Sequence, residues 1–199
     1  ESIIGKNILV CSTTLFIKNP NKKGFVSYHQ DAKYIGLEPY NWVTAWVALT
    51  NSNENNGCMK MWPRSHLDIK DHNEKFDEGN LLTRGQTVEN VPENEIKSIE
   101  LKAGQMSLHH PRIVHGSGIN KSNDRRIGFV IQSYIGTNVK QTLGKISVQV
   151  ARGEDKYSYH EVIDRSSTLM SEEKILLKKK ENDNLQEIFY RGAKKKSFF

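Results

Sequence analysis

The stretch SYHQDAKYIGL carries two side chains that bind metal ions, His29 and Asp31, one residue apart in a 199-residue chain with only 7 histidines. Chance alone supplies about 0.3 His-x-Asp spacings at this composition, so the pair needs support from elsewhere. A competitor with the same spacing exists in PRSHLDIKDH, at His66 and Asp68. Residues two apart on a β-strand project from one face. If FVSYHQDAKYI is a strand, His29 and Asp31 point one way and Gln30 the other. An imidazole beside a carboxylate supplies two ligands of a 2-His-1-carboxylate facial triad. That is the ligand set of non-haem Fe(II) oxygenases, with open positions for a bidentate co-substrate and O2.

The third ligand must come from a distant segment, and LHHPRIVHGSGINKSNDRRIGF offers three histidines. His109 and His110 are adjacent and face opposite ways on a strand. His115 stands in HGSG, where small residues let backbone and ligands come close. Eleven positions later comes Arg126, on the next apparent strand. An arginine fork suits the distal carboxylate of a dicarboxylic acid.

The elements that must position these groups read mainly as β-structure. KNILVCSTTLFIKN, GFVSYHQDAKYI, NWVTAWVALT, CMKMW, IKSIEL, MSLHHPRIVHGSG, RRIGFVIQSYI and KISVQVAR are β-rich runs separated by turn formers such as NPNKKG and NSNENNG. Short strands with few helices favour a sandwich or barrel over a parallel α/β sheet. Residues 1–150 form the expected catalytic core, with the charged excursion 67–95 as a lid or insertion. Residues 151–199 form an extension. Within it Ser171 caps a helix, Ile175, Leu176, Leu185, Ile188 and Phe189 give an apolar stripe that packs on the core, and Gly192 ends it.

The bulk properties fit one soluble domain with no apolar run long enough for a membrane span. The start lacks a secretory signal, and Cys11 and Cys58 are isolated, which together point to the reducing cytoplasm. The net charge of +6 gathers in LLKKKENDN and GAKKKSFF rather than along a stripe with interleaved aromatics. It reads as solvated surface, so nucleic acid is not an expected partner, and an acidic or phosphate-bearing substrate is the alternative.

HQD, VTAWVALT, ENNGCMKMWPRSH, HGSGINKS and RRIGF together resemble the phytanoyl-CoA dioxygenase family of Fe(II)/2-oxoglutarate oxygenases, in the family's order and at about its spacing. LQEIFYRGA and the wording of YIGLEPYNWVTAWVALT are similar to its chlorinating-enzyme-like branch. The resemblance implies a double-stranded β-helix (jelly-roll, cupin-like) core with peripheral helices and one Fe(II). By matching positions it implies His29, Asp31 and His115 as ligands, and Arg126 and Ser117 on the C5 carboxylate of 2-oxoglutarate. Trp46 would wall the co-substrate pocket, with O2 as second co-substrate. His66 falls in the family's PGSH-like turn and becomes structural.

Two departures bear on the site. Arg64 stands where the family usually has Gly, so the turn differs or Arg64 reaches toward substrate. Only 28 residues precede His29, where similar proteins carry a longer N-terminal part, so the sequence is a piece or its pocket is more open. Tyr34 and Ile35, just past HQD, are further candidate substrate contacts. Halogenases of this superfamily carry Ala or Gly in place of the carboxylate, so Asp31 favours hydroxylation despite the chlorinating-like wording. The expected substrate is a small molecule, free or linked to CoA or a carrier protein. The alternatives are a halogenase or desaturase on the same iron centre, or a catalytically silent jelly-roll that binds a small molecule. The sequence leaves the oligomeric state open.

Overall fold

The computed structural model describes residues 1–82, 84–163 and 171–193. In chain order the strands are β1 (Ile8–Lys18), β2 (Val26–His29), β3 (Leu37–Glu38), β4 (Trp42–Ala48), β5 (Met59–Trp62), β6 (Asn73–Glu74) and β7 (Gln86–Thr87). There follow β8 (Lys97–Ile99), β9 (Met106–His109), β10 (Val114–Ser117), β11 (Arg126–Gly136), β12 (Lys140–Gln141), β13 (Ser147–Arg152) and β14 (Glu161–Val162). Two α-helices join them, α1 (Ala32–Ile35) and α2 (Glu172–Phe189). The larger sheet has the order β14-β13-β1-β11-β4-β9 and the smaller β2-β10-β5-β8. Their inner faces enclose one cavity, which is the double-stranded β-helix arrangement.

The core lies in two apolar clusters inside this shell. One gathers Leu9, Leu37, Trp42, Ile135, Val139, Ile146, Val148 and Ile188. The other holds Trp46, Ala48, Met59 and Val130. Gly128 lets the Trp46 indole lie across the sheet, since a Cβ there would stand 2.0 Å from the ring. The site occupies the space between the two clusters.

Two local expectations are corrected. The HQD stretch is not one strand: β2 stops at His29, and Asp31 has helical dihedrals (φ −56°, ψ −40°) as N-cap of α1. Gln30 makes the turn. Its buried side chain donates to the carbonyl oxygens of Asp68 and Arg112 and accepts from the Lys70 amide, while its own amide meets His72. The turn's exit is fixed by the Ala32 amide donating to the Pro111 carbonyl.

In α2, Ser171 is the N-cap, but Ile175 and Leu176 are exposed. Only the C-terminal end of the expected stripe is inside, through Leu185 and Ile188 against the first cluster. The helix is short of apolar residues at the spacing its inner face needs, so its first turns face water.

The boundary expected at residue 150 falls inside β13, which pairs with β1 in the large sheet. The lysine triplet at 194–196 lies outside the described residues. Among the described residues no helix is long and apolar enough to cross a membrane.

Candidate metal centre

His29 ends β2 and lies directly opposite His115 on β10, so the sheet register alone brings the two imidazoles together. Their ring centroids are 4.3 Å apart. Asp31, delivered by the Gln30 turn, puts Oδ1 3.4 Å from His29 Nε2 and 4.0 Å from His115 Nε2. One donor atom from each of the three residues falls within a 4.8 Å set. Each imidazole is aimed through its other nitrogen: Nδ1 of His29 meets the Ser27 carbonyl at 2.9 Å, and Nδ1 of His115 the Ile113 carbonyl at 3.1 Å. These bonds leave both Nε2 atoms as the lone-pair donors a metal needs.

Burial alone would push the Asp31 carboxyl up, but the imidazoles of His115, His29 and His109 outweigh it and hold it well below the usual carboxylate range. Burial, reinforced by His29, pulls His115 down to about 3. At neutral pH Asp31 is therefore an anionic carboxylate and His115 a neutral imidazole. That is the protonation a divalent cation requires. Among the described residues, this is the one cluster of three or more such groups close enough to share an ion.

A cavity of about 190 Å³ opens from this cluster. Its wall includes one buried cation. Arg126, at the start of β11, is 2% exposed, and its guanidinium lies over the Trp46 ring at 5.1 Å. Lys18, the last residue of β1, is its register partner. The Lys18 ammonium donates to Ser117 Oγ at 2.7 Å and to the Gly118 carbonyl. Burial and then the Arg126 charge pull Lys18 down to about 7, and burial pulls Arg126 down to about 10. Among the described residues no carboxylate pairs with either, and Arg126 Nε has no partner at all. Two buried cations with no anion call for a ligand carboxylate.

The expected residues divide cleanly. His29, Asp31, His115, Arg126, Ser117, Trp46, Tyr34 and Ile35 all line the cavity. Arg64 does not. It is exposed, in the left-handed region (φ 66°) at the turn before the 3-10 segment Ser65–Leu67, where a glycine would be unstrained. His66 also stays outside, 5.4 Å from the His110 ring. Sequence reasoning missed Lys18, whose position at a strand end gave no signal. It also missed Thr44, which donates to Asp31 Oδ2 at 3.1 Å, and Phe189 of α2, which lines the cavity. His109, considered only as a third ligand, lines the cavity with its Nε2 3.8 Å from Asp31 Oδ2.

Two histidines and a carboxylate on the cavity wall of a double-stranded β-helix are the donor set of a facial-triad iron site. The chain belongs to the phytanoyl-CoA dioxygenase (PhyH) family, which it matches over residues 1–128. It is 30% identical to human peroxisomal phytanoyl-CoA dioxygenase over 132 residues, which cover 63% of this chain and 39% of that protein. It thus spans well under half the length of that relative. Among solved structures, the non-haem monooxygenase ThoJ superposes with a TM-score of 0.80 at 30% identity, covering 96% of this chain and 70% of ThoJ. EvdO2 from Micromonospora carbonacea var. aurantiaca, solved with 2-oxoglutarate, shares the fold at 19% identity (TM-score 0.56, 67% of this chain and 54% of that one). Iron and 2-oxoglutarate are the cofactor and co-substrate of this group. The donor set and the unpaired buried cations fit both.

Proposed function

We propose that this chain is an Fe(II)- and 2-oxoglutarate-dependent hydroxylase acting on an unactivated carbon of a small molecule. The observation that carries the reading is that His29, Asp31, His115 and the buried, carboxylate-free Arg126 line one cavity, with Lys18 behind its wall on Ser117 Oγ. His29, Asp31 and His115 would hold the metal. Arg126, Lys18 and Ser117 would take the distal carboxylate of 2-oxoglutarate, with Trp46 fixing the plane of the guanidinium. Iron bound with 2-oxoglutarate and O2 supplies insertion of one oxygen atom into a C–H bond, the second going into succinate as CO2 leaves.

The protein's own contribution is orientation and exclusion of water. Thr44 holds the outer oxygen of Asp31, leaving Oδ1 toward the two imidazoles. A carboxylate at this position occupies the coordination site a halide would need, which favours hydroxylation over halogenation. Tyr34 and Ile35, with Phe189, would contact substrate. The excursion 67–95 supplies Leu81, Leu82 and Gln86 to the cavity. Arg84 pins it: its guanidinium pairs with Glu74, donates to the Phe189 and Arg191 carbonyls, and stacks over Tyr34 at 4.7 Å. We therefore read this segment as a fixed wall of the substrate chamber. The cavity is smaller than the ~300 Å³ lower end of common ligand pockets, so it would enclose only the reacting part of a larger substrate, CoA- or carrier-linked ones included.

Anaerobic titration with Fe(II) and 2-oxoglutarate tests this. The bound chelate should give a weak visible charge-transfer band that His115→Ala abolishes. A wild-type protein without the band would sink the oxygenase reading, as would a band that survives His115→Ala.

A further inference from the structure

Once iron and 2-oxoglutarate are assigned their residues, two cavity-lining polar groups still lack a hydrogen-bond partner among the described residues. They are the imidazole of His109, at both nitrogens, and the hydroxyl of Ser133. Both side chains are buried, His109 at 5% and Ser133 at 1% exposure.

The strand registers put them in one row. Thr44 on β4 pairs with His109 on β9. On the other side of β4, a bulge in β11 falls between the pairs Ile131↔Ala45 and Tyr134↔Val43, so Gln132 and Ser133 together oppose Thr44. Ser12 on β1 continues the row, its hydroxyl donating to Gln132 Oε1 at 3.0 Å. The outcome is a polar belt across four strands, between the apolar cluster of Trp42, Leu9 and Ile135 and that of Trp46, Met59 and Val130. Ser133 is held at φ 67°, in the left-handed region few residues other than glycine adopt. Such conformations persist where the surroundings over-determine them, and they cluster at ligand sites.

Neither group is accounted for by the metal ligands. His109 Nε2 is 3.8 Å from Asp31 Oδ2, too long for a hydrogen bond, and Thr44 already donates to that oxygen. His109 is also not part of the close set that His29, Asp31 and His115 form. Leaving a buried polar group without a partner is costly, so two in one belt beside the candidate metal centre imply a ligand that satisfies them.

We propose, resting on the oxygenase reading, that His109 and Ser133 are the hydrogen-bonding subsite for the primary substrate. They take an uncharged hydroxyl or carbonyl oxygen of an otherwise apolar molecule whose carbon skeleton packs on Tyr34, Ile35 and Phe189. Imidazole brings one donor and one acceptor and the serine hydroxyl both, so either oxygen type is satisfied. The belt offers no counter-charge of its own. On the oxygenase reading Asp31 is engaged with the metal, and Lys18 and Arg126 with 2-oxoglutarate. A carboxylate, phosphate or ammonium group at this point would be buried unpaired.

The test uses the wild-type protein loaded anaerobically with Fe(II) and 2-oxoglutarate, with cyclohexanol, cyclohexanone, cyclohexanecarboxylate and cyclohexylammonium as probes. Binding is read by ligand-observed NMR and by perturbation of the chelate band. The neutral probes should bind, and the charged ones at least about tenfold more weakly. His109→Leu should weaken cyclohexanol binding about five- to tenfold, the equivalent of one hydrogen bond. His109→Gln, which keeps a donor and an acceptor, should restore most of it. Ser133→Gly, which suits the local φ, should show a loss like that of His109→Leu. Neutral probes that fail to bind, charged probes that bind as tightly, or cyclohexanol affinity equal in all variants would each overturn the proposal. The chelate band separates the two levels. Its absence in the wild type removes both readings, whereas its presence with indifferent probes removes only the subsite.

Discussion

Arg126→Met should make the apoprotein more stable and at the same time blind to 2-oxoglutarate. Lys18 and Arg126 face each other across β1 and β11, and both are buried. Like charges directly opposite on paired strands are destabilising, and taking them out of water adds to the cost. Methionine keeps a long unbranched chain against Trp46 and removes the charge. Replacing a whole buried ion pair by hydrophobes is often neutral or stabilising by about 1–4 kcal/mol, and removing one of two facing like charges works in the same direction. Each kcal/mol is worth roughly 2–4 °C of Tm in a chain of this size. Affinity moves the other way. Truncating one partner of a buried, hydrogen-bonded charge pair costs about 2–5 kcal/mol, or about 30- to 5,000-fold in Kd. Thermal unfolding of metal-loaded samples with and without 2-oxoglutarate reads both effects. At a hundred times its Kd the ligand adds about 2.7 kcal/mol to the wild type, and the variant should show almost no shift at that concentration. An unchanged 2-oxoglutarate shift in Arg126→Met refutes the anchor. A lower apo Tm refutes the argument that the two cations are held apart from an anion they need.

Four further outcomes follow from the same geometry. Thr44→Val preserves shape but releases the outer oxygen of Asp31, so metal affinity measured against a competing chelator should fall about 10–100-fold; an unchanged affinity would remove Thr44 from the site. Lys18, pulled down to about 7 by burial and Arg126, binds fewer protons folded than unfolded between that pH and its ordinary lysine value. Apoprotein stability should therefore rise with pH through that window and reach its floor below it, by up to ~1.4 kcal/mol per pH unit. 2-Oxoglutarate should in turn bind more weakly above about pH 7, because Lys18 must take up a proton to pair with it. Calorimetry in buffers of different ionisation enthalpy would detect that uptake, and none at pH 8 would contradict it. Arg84→Met removes the link between Glu74, Tyr34 and the carbonyls that end α2. It should cost about 3–5 kcal/mol, with hydrogen exchange rising first at residues 185–193; uniform exchange would mean the clamp does not hold the helix end.

The cluster of His29, Asp31 and His115 was legible because His-x-Asp and HGSG are local signals, yet the reason given for the first does not hold. The two residues converge not by sharing a strand face but because Gln30 buries its amide and turns the chain. Lys18 and Phe189 were illegible for a different reason. Lys18 is 99 residues from the serine it contacts, and an aromatic on a helical stripe is usually core. Only long-range register tells such residues where they face.

β11 shows how much rides on one such register. Arg126, Gly128 and Val130 are buried at even positions, Ser133 and Ile135 at odd ones. The bulge at Gln132 and Ser133 changes the phase, so a strand that turns a guanidinium into the anion end also turns Ile135 into the apolar cluster. Paired β1 changes phase with it, burying Leu9 near one end and Lys18 at the other. Straight alternation would send either Arg126 or Ile135 to the outer face, because they are an odd number of residues apart. The run RIGFVIQSYIG carries no clean period for that reason. The break in its pattern coincides with the serine whose hydroxyl still wants a partner.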